Sequence, residues 1–336
     1  MGRRRGRSAG YVTGSDRRPD IAIGELGEFG VVARFAARLQ PQGPGVLLGP
    51  GDDAAVLKPP DDPPDDRIVA TTDLLVEGRH FRRDWSGPYD VGRKAAAQNL
   101  ADVAAMGGVP TALLVGFAAP PQLPVEWVDA FADGLREECA VVGASVVGGD
   151  VVRCDLVVLG ITAFGSLRGR SPVTRSGARP GDVVVVAGRL GWAAAGFVVL
   201  SRGFRSPKVL VEAHRRPEPP YAMGPVLADA GATAMVDVSD GLVQDLGHVA
   251  AASGVGIELE SAAFEVTAAM RDVASALGAD PLRWVLAGGD EHALAATLPP
   301  DVAVPTGCRV VGHVVEGAGV LVDGAAYDAG GFDHFG

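Results

Sequence analysis

The segment Thr71-Thr72-Asp73-Leu74-Leu75-Val76-Glu77-Gly78-Arg79-His80-Phe81 decides how the chain is read. The run Arg67 to Thr72 that leads into it has the β-branched character of a strand, and it delivers the Asp73 carboxylate at its end. Toward the C-terminus a helix is predicted over Asp90 to Met106, then a strand near Ala112 to Phe117, a helix over Val125 to Val142, and strands around Ser145 to Gly148 and Leu156 to Phe164. Strands alternating with helices in this way predict an α/β unit. Toward the N-terminus, Gln40 to Asp66 is rich in Pro, Gly and Asp. Before it, Glu28 to Leu39 places Phe29, Val32, Phe35, Ala36 and Leu39 on one helical face, with Glu25 and Glu28 near the positive end of the helix.

Between Ser166 and Asp182 the text turns polar and rich in Gly and Pro, and a domain junction is expected there. Beyond it a strand is predicted over Val183 to Ala187, a helix over Trp192 to Ser201 with more helix to about Gly231, a strand over Ala234 to Val238, and a helix over Gly241 to Ser253 with Leu242, Leu246 and Val249 inward. Short strands follow near His292 to Thr297, Arg309 to His313 and Val320 to Val322, a pattern closer to α+β than to a doubly wound sheet. The organisation expected is a basic tail over 1–20, an N-terminal domain over 21–166 and a C-terminal domain over 167–336, with no internal repeat.

The chain has 336 residues, 47% of them apolar and 21% charged, enough for a full core and against a disordered chain. Its net charge of −11 opposes binding to nucleic acid. The tail is the exception, with six arginines against Asp16 and Asp20 in the first 20 residues, and it lacks the apolar core of a secretory signal. No apolar run approaches the roughly 18 to 20 residues that cross a bilayer, so no membrane partner is expected. Cys139, Cys154 and Cys308 are odd in number and far apart, which speaks against a disulfide frame or a zinc site and for a reducing cytoplasm.

The chemistry is carried by aspartates beside glycine or at element ends: Gly51-Asp52-Asp53, Thr71-Thr72-Asp73, Asn99-Leu100-Ala101-Asp102, Gly148-Gly149-Asp150 and Asp237-Val238-Ser239-Asp240-Gly241. Each is read as a carboxylate brought to a turn where glycine permits close backbone approach, the oxygen-donor arrangement of a hard cation such as Mg²⁺. Converging carboxylates would repel and take up protons unless cations neutralised them. An aspartate at a helix start is also an ordinary N-cap, and Asp240 reads either way. Asp61, Asp62, Asp65 and Asp66, flanked by proline, read as a solvated loop. No GxxxxGK[ST], GxGxxG between strand and helix, GxSxG or HExxH occurs, which disfavours P-loop kinases, Rossmann dehydrogenases, serine hydrolases and zinc proteases.

In this order the segments resemble the thiamine-monophosphate kinases, of the superfamily of aminoimidazole ribonucleotide synthetase and selenophosphate synthetase. The resemblance covers about residues 24 to 336. It rests on Gly27-Glu28-Phe29, Gly51-Asp52-Asp53-Ala54-Ala55, the segment Thr72 to Phe81, Lys94-Ala95, Asn99 to Gly107, Gly148-Gly149-Asp150, Arg175-Ser176-Gly177-Ala178, Asp237 to Leu242 and Phe332-Asp333-His334-Phe335-Gly336.

The resemblance implies a two-domain α/β (α+β) fold, with a mixed-sheet N-terminal domain like that of the synthetase and an α+β C-terminal domain. It implies direct transfer of the γ-phosphoryl group of ATP to thiamine monophosphate, giving thiamine diphosphate, by a cytoplasmic homodimer paired through its N-terminal domains. By matched position it implies Asp53, Thr71, Thr72, Asp73, Asp102, Asp150, Asp237 and Asp240 as ligands of several Mg²⁺ ions, with Asp53, Asp73, Asp102, Asp150 and Asp240 as the catalytic set. It further implies Gly149, Asp150, Arg175 and Ser239 as ATP contacts, and His80, Asp290 and Phe332 as substrate contacts. The chain departs from the family where Gly-Gly-Glu-Asp is usual: here Gly288-Gly289-Asp290-Glu291 exchanges the two acids and shortens the substrate-contacting one. Phe332 keeps the ring of the usual Tyr without its hydroxyl. The alternatives left open are a superfamily enzyme with another acceptor, a non-catalytic ATP and Mg²⁺ sensor, and a Mg²⁺-dependent phosphatase. A selenophosphate synthetase is disfavoured because the first cysteine, Cys139, falls in a predicted helix.

Overall fold

The computed structural model describes residues 22, 23, 25, 26, 34, 37–40, 43, 46–48, 56, 57 and 67–327. The basic tail, most of the helix expected over Glu28 to Leu39, Asp53, the Asp61 to Asp66 loop and Phe332 lie outside the described residues. Two short strands, β1 (Val46–Leu48) and β2 (Val56–Leu57), pair antiparallel ahead of the main body.

The first half is a four-stranded sheet in the order β3-β6-β4-β5, built from β3 (Ile68–Val76), β4 (Val109–Ala119), β5 (Ser145–Arg153) and β6 (Val158–Ser166). β4 and β5 are parallel, joined through the long helix α2 (Val125–Val142), while β6 is antiparallel to both of its neighbours. Parallel strands need such a crossover, and hairpin-like returns supply the antiparallel pairs. Helix α1 (Pro88–Ala105) starts with proline in its first turn and with the Asp90 carboxylate accepting from Gly87 N–H at 3.1 Å. Its alanine-rich run, Ala95 to Ala97 and Ala101 to Ala105 broken by Asp102 and Val103, suits both helix propensity and close packing on the sheet.

The second half is a seven-stranded sheet in the order β13-β12-β9-β11-β7-β10-β8. Its strands are β7 (Val183–Ala187), β8 (Ala234–Val238), β9 (Gly256–Leu259), β10 (Ala293–Leu298), β11 (Cys308–Val315), β12 (Gly319–Val322) and β13 (Ala325–Ala326). All neighbours are antiparallel except β12 and β9. The helices are α3 (Trp192–Ser201), α4 (Lys208–Arg215), α5 (Met223–Asp229), α6 (Leu242–Ser253), α7 (Ala268–Leu277) and α8 (Pro281–Ala287).

Side chains alternate across a strand, and here the alternation assigns the two faces of one sheet to two cores. Val185, Ala187, Leu294 and Ala296 join the core built around α1 and the first sheet. Val184, Val186, Ala293 and Ala295 join a second core with α3, α6, α7 and α8. Strands buried on both faces lose the polar alternation and read as continuous apolar runs, as in Val183-Val184-Val185-Val186-Ala187. Because α1 packs against both halves, the residues on its exposed flank sit where the halves meet.

Candidate active site

A cavity of about 1620 Å³ opens between the halves, with walls from β3, α1, the segment after β6, β8 and the loop before β10. On the first half, Thr71 and Asp73 share the inner face of β3 and look at α1. Residues 98, 99 and 102 of α1 lie within about one turn and present one patch to that strand. Asn99 Oδ1 accepts from Asp73 N–H at 3.1 Å, Gln98 Nε2 donates to the Asp73 carboxylate at 3.1 Å, and Thr71 Oγ donates to the Asp102 carboxylate at 2.8 Å. His80 lines the cavity beyond the strand, and its Nδ1 accepts from Val76 N–H at 3.0 Å, which leaves the proton of the neutral ring on Nε2.

From the second half, β8 brings Asp237 and the turn after it brings Ser239 and Asp240 to the same cavity. The loop Gly288-Gly289-Asp290-Glu291-His292 packs directly on that turn: Asp290 N–H donates to Ser239 O at 2.8 Å and His292 N–H to Val238 O at 2.9 Å. A Cβ at Gly289 would stand 2.4 Å from Ser239 O, so only glycine lets the two segments meet. His292 Nδ1 lies 3.0 Å from the Asp237 carboxylate. Arg175 and Ser176 line the mouth, and Arg175 is exposed.

The exchanged acids of this loop have separate partners. The longer Glu291 turns into the protein and accepts from Ala193 N–H at 2.5 Å, occupying the N-terminus of α3, where the N-cap Gly191 has no side chain to offer. The shorter Asp290 meets Lys94 Nζ of α1 at 2.6 Å, a bridge across the two halves.

The two sets of carboxylates differ in charge state. Burial, then the neighbouring Asp237 and Asp73 charges, push Asp102 up to about 7. Burial and Asp237 do the same to Asp245, also to about 7, although its carboxylate accepts from Asp240 N–H at 3.1 Å and Gly241 N–H at 3.0 Å. Burial raises Glu291 to about 7 as well. Asp290 goes the other way: burial opposes its charge, but Lys94 and then His214 outweigh burial and hold it at about 2.

The structure therefore brings Thr71, Asp73, His80, Asp102, Arg175, Asp237, Ser239, Asp240 and Asp290 to one cavity. It corrects the expectation that each aspartate stands at a turn. β3 runs on to Val76, so Asp73 is inside a strand; Asp102 is inside α1, Asp150 inside β5 and Asp237 inside β8, and among the described members of the set only Asp240 follows its element. Nor is Asp240 a helix cap: Gly241 holds that position, and Asp245 satisfies the N–H groups.

Thr72 and Asp150 do not line this cavity. By strand pairing Asp150 shares a row with Gly116, Gly160 and Leu74, on the outer face of the sheet, and Thr72 projects from that same face with its Oγ donating to Ile161 O at 3.0 Å. Gly149 has a structural reason to be glycine, since a Cβ there would meet Val115 O at 2.0 Å. Among the described residues, no three His, Cys, Asp or Glu side chains gather at one chelating point.

Sequence reasoning gave no role to Gln98, Asn99, Lys94, Asp245, His214 or His292. Asn99 and Asp102 sit at helical spacing, and Lys94 lies two turns before Asp102 on the same flank, so a helical projection of α1 carries that signal. The partners of His214 and His292 come from distant parts of the chain, and no local spacing announces them.

The chain resembles known proteins over most of its length. Residues 51–167 match the model of the AIR synthase related protein N-terminal domain, and residues 179–325 that of its C-terminal domain. The thiamine-monophosphate kinase of Mycobacterium tuberculosis is 48% identical over 316 residues, covering 93% of this chain and 92% of the relative. The chain belongs to the thiamine-monophosphate kinase family. The crystal structure of thiamine-monophosphate kinase from Stenotrophomonas maltophilia K279a is similar at a TM-score of 0.78 and 33% identity, covering 90% of this chain and 98% of that one. A structure of AaThiL complexed with AMPPCP and TMP is similar at a TM-score of 0.77 and 33% identity, covering 93% and 98%. The fold is α/β with two AIR synthase related domains, and the chain is a kinase of this family. No described helix is long and apolar enough to cross a membrane.

Proposed function

We propose that the chain transfers the γ-phosphoryl group of ATP to the phosphate of thiamine monophosphate, in line and with Mg²⁺, giving thiamine diphosphate and ADP. The observation that carries this is the meeting of Asp73 and Asp102 from one half with Asp237 and Asp240 from the other in a single cavity. That a relative holds an ATP analogue, AMPPCP, together with TMP supports the pair of substrates.

The residues fit a hard dication. Thr71, Asp73, Asp102, Asp237 and Asp240 offer only oxygen, and burial together with the Asp237 and Asp73 charges raises the proton affinity of Asp102. These residues would hold Mg²⁺, with Asp53 added by resemblance, and bound there it would neutralise charge on the phosphoryl oxygens during transfer. Arg175, at the mouth, supplies a fixed cation with fork geometry for an ATP phosphate. His80 lines the cavity and is assigned to the acceptor by resemblance. No strong general base is required, because a phosphate monoester is already largely ionised near neutral pH.

Asp150, Thr72 and Gly149 are assigned to metal and nucleotide by resemblance, as is Phe332 to the substrate. A homodimer through the N-terminal units, taken as 21–166, is supported by the outer face of the first sheet, where Ile68 is 74% exposed and Leu74 62%. The three unpaired cysteines support a cytoplasmic site of action.

The test is ADP release by the purified protein with ATP and Mg²⁺, comparing thiamine monophosphate, thiamine and no acceptor, with the product identified by mass. Diphosphate formed only from thiamine monophosphate supports the reading. ATP binding without transfer to any of the three would replace it with a sensor.

A further inference from the structure

Three carboxylates of the cavity share a pattern: each gives one oxygen to a side chain of a neighbouring element. Asp73 accepts from Gln98 Nε2 and Asp102 from Thr71 Oγ. For Asp237 the partner is His292, with 3.0 Å between Nδ1 and Oδ2.

The backbone before β10 is shaped around this last contact. His292 has φ +54° and Asp290 φ +67°, in the left-handed region that residues with a Cβ seldom adopt, although Asp, Asn and His enter it more readily than most. Glu291, between them, goes to the N-terminus of α3, while its two neighbours reach Asp237 and Lys94. His292 N–H donates to Val238 O at 2.9 Å, which anchors the ring one residue from the carboxylate it meets. Backbone of this kind persists where surrounding contacts over-determine it, and it gathers at functional sites.

Both side chains are buried, His292 at 7% exposure and Asp237 at 6%. Among the described residues His292 Nε2 makes no hydrogen bond, so the contact with Asp237 is the polar engagement the ring has. Few waters can reach a carboxylate buried to this degree, and its orientation is set by protein donors. Asp237 nevertheless lines the cavity, beside Asp73, Asp102 and Asp240.

We infer that His292 is a positioning residue for Asp237: its Nδ1–H holds Oδ2 and keeps the carboxylate in one orientation, with the other oxygen left for the divalent cation of the proposed reaction. This rests on the reading of the carboxylates as a cation site, and it adds a residue outside the ligand set carried by resemblance. A hydrogen-bond partner of a ligating side chain typically governs metal affinity by about 10- to 100-fold.

The experiment compares the wild type with two variants. His292→Phe keeps a planar ring and loses the N–H; His292→Asn places an amide nitrogen where Nδ1 stands and tolerates the left-handed backbone. The first readout is Mn²⁺ affinity with AMPPCP present, from water-proton relaxation, which needs no turnover. His292→Phe is expected to bind Mn²⁺ at least about 10-fold more weakly, and His292→Asn to stay within about 3-fold of the wild type. In steady state His292→Phe should raise the Mg²⁺ concentration giving half-maximal rate by a similar factor, while KM for thiamine monophosphate changes by less than about 2-fold. The second readout is the nitrogen-15 spectrum of the histidines without metal, in which the resonance missing from His292→Asn should belong to a protonated Nδ1. Unchanged Mn²⁺ affinity in folded His292→Phe, an equal loss in both variants, or an unprotonated Nδ1 overturns the assignment. If His292→Phe does not fold, retained affinity in His292→Asn with a protonated Nδ1 supports it, and lost affinity overturns it. A wild type that shows the protonated Nδ1 but no protein-dependent Mn²⁺ sites overturns the cation reading itself.

Discussion

Asp102 and Asp290 face the same cavity from opposite halves of the chain, and their environments drive them apart. Asp102 sits among other carboxylates and is pushed up to about 7, first by burial and then by Asp237 and Asp73. Asp290, with Lys94 Nζ at 2.6 Å, is held at about 2. One region has a lysine against its carboxylate; in the other, several carboxylates gather around Asp237, whose partner is the His292 ring at 3.0 Å, and under the proposed function a divalent cation completes it. A carboxylate paired with a lysine and one buried without such a partner can thus be told apart by the sign of the shift, even where both are aspartates in one cavity.

The largest effect expected from breaking this contrast is catalytic. Asp73→Asn should lower turnover by at least about 100-fold, or roughly 2.7 kcal/mol of barrier, with little change in melting temperature. Near-normal kcat in a folded variant would remove the carboxylate cluster from the mechanism.

On the other side, Lys94→Met leaves Asp290 without its cation. Breaking a fully buried pair costs about 3–5 kcal/mol, but the Asp290 side chain is 39% exposed, so screening reduces the loss to about 2 kcal/mol. The double variant Lys94→Met/Asp290→Asn should recover most of it. Chemical denaturation of the three proteins without ligands measures this, and equal losses in the single and double variants would show the pair to be incidental.

The raised groups give a third outcome. Asp102, Asp245 and Glu291 have folded values near 7, above the usual carboxylate range, so the folded state binds more protons than the unfolded one between about pH 4 and 7. Stability without metal should therefore be greatest below about pH 4 as far as these groups are concerned and should fall by a few kcal/mol as pH rises through 7. Mg²⁺ should offset the part due to Asp102, raising the melting temperature more at pH 8 than at pH 5. Asp290, depressed to about 2, contributes stability present above the ordinary carboxylate value and lost only in strong acid. A metal-induced rise of the same size at both pH values would contradict the contrast.

A smaller effect concerns the outer face of the first sheet. Leu74→Asp should shift sedimentation from dimer to monomer with a modest loss of stability, since Leu74 is 62% exposed in the single chain. A dimer that persists unchanged would place the interface elsewhere.

Much of the fold is legible from local pattern. The helix expected over Val125 to Val142 has those bounds, and α1 differs from its expected limits by one or two residues, because apolar period and proline act within a few positions. The strands β3 and β5 run longer than expected, to Val76 and Arg153, since pairing with β6 and β4 carries the backbone past the point where sequence character fades. The same tertiary pairing splits the contiguous Thr71-Thr72-Asp73: a period of two turns Thr71 and Asp73 toward α1 and Thr72 to the outer face. Carboxylates beside glycine could be named from the sequence, whereas the Lys94–Asp290 bridge joins residues 196 positions apart and belongs to the packing of the halves.

The central claim is that carboxylates from both halves form one cation-binding cluster. Mn²⁺ binding followed by water-proton relaxation, with AMPPCP present, tests it in the wild type, Asp102→Asn from the first half and Asp237→Asn from the second. Both variants should lose protein-dependent Mn²⁺ sites relative to the wild type, each while still folded. Full retention of those sites in either variant would contradict a shared cluster.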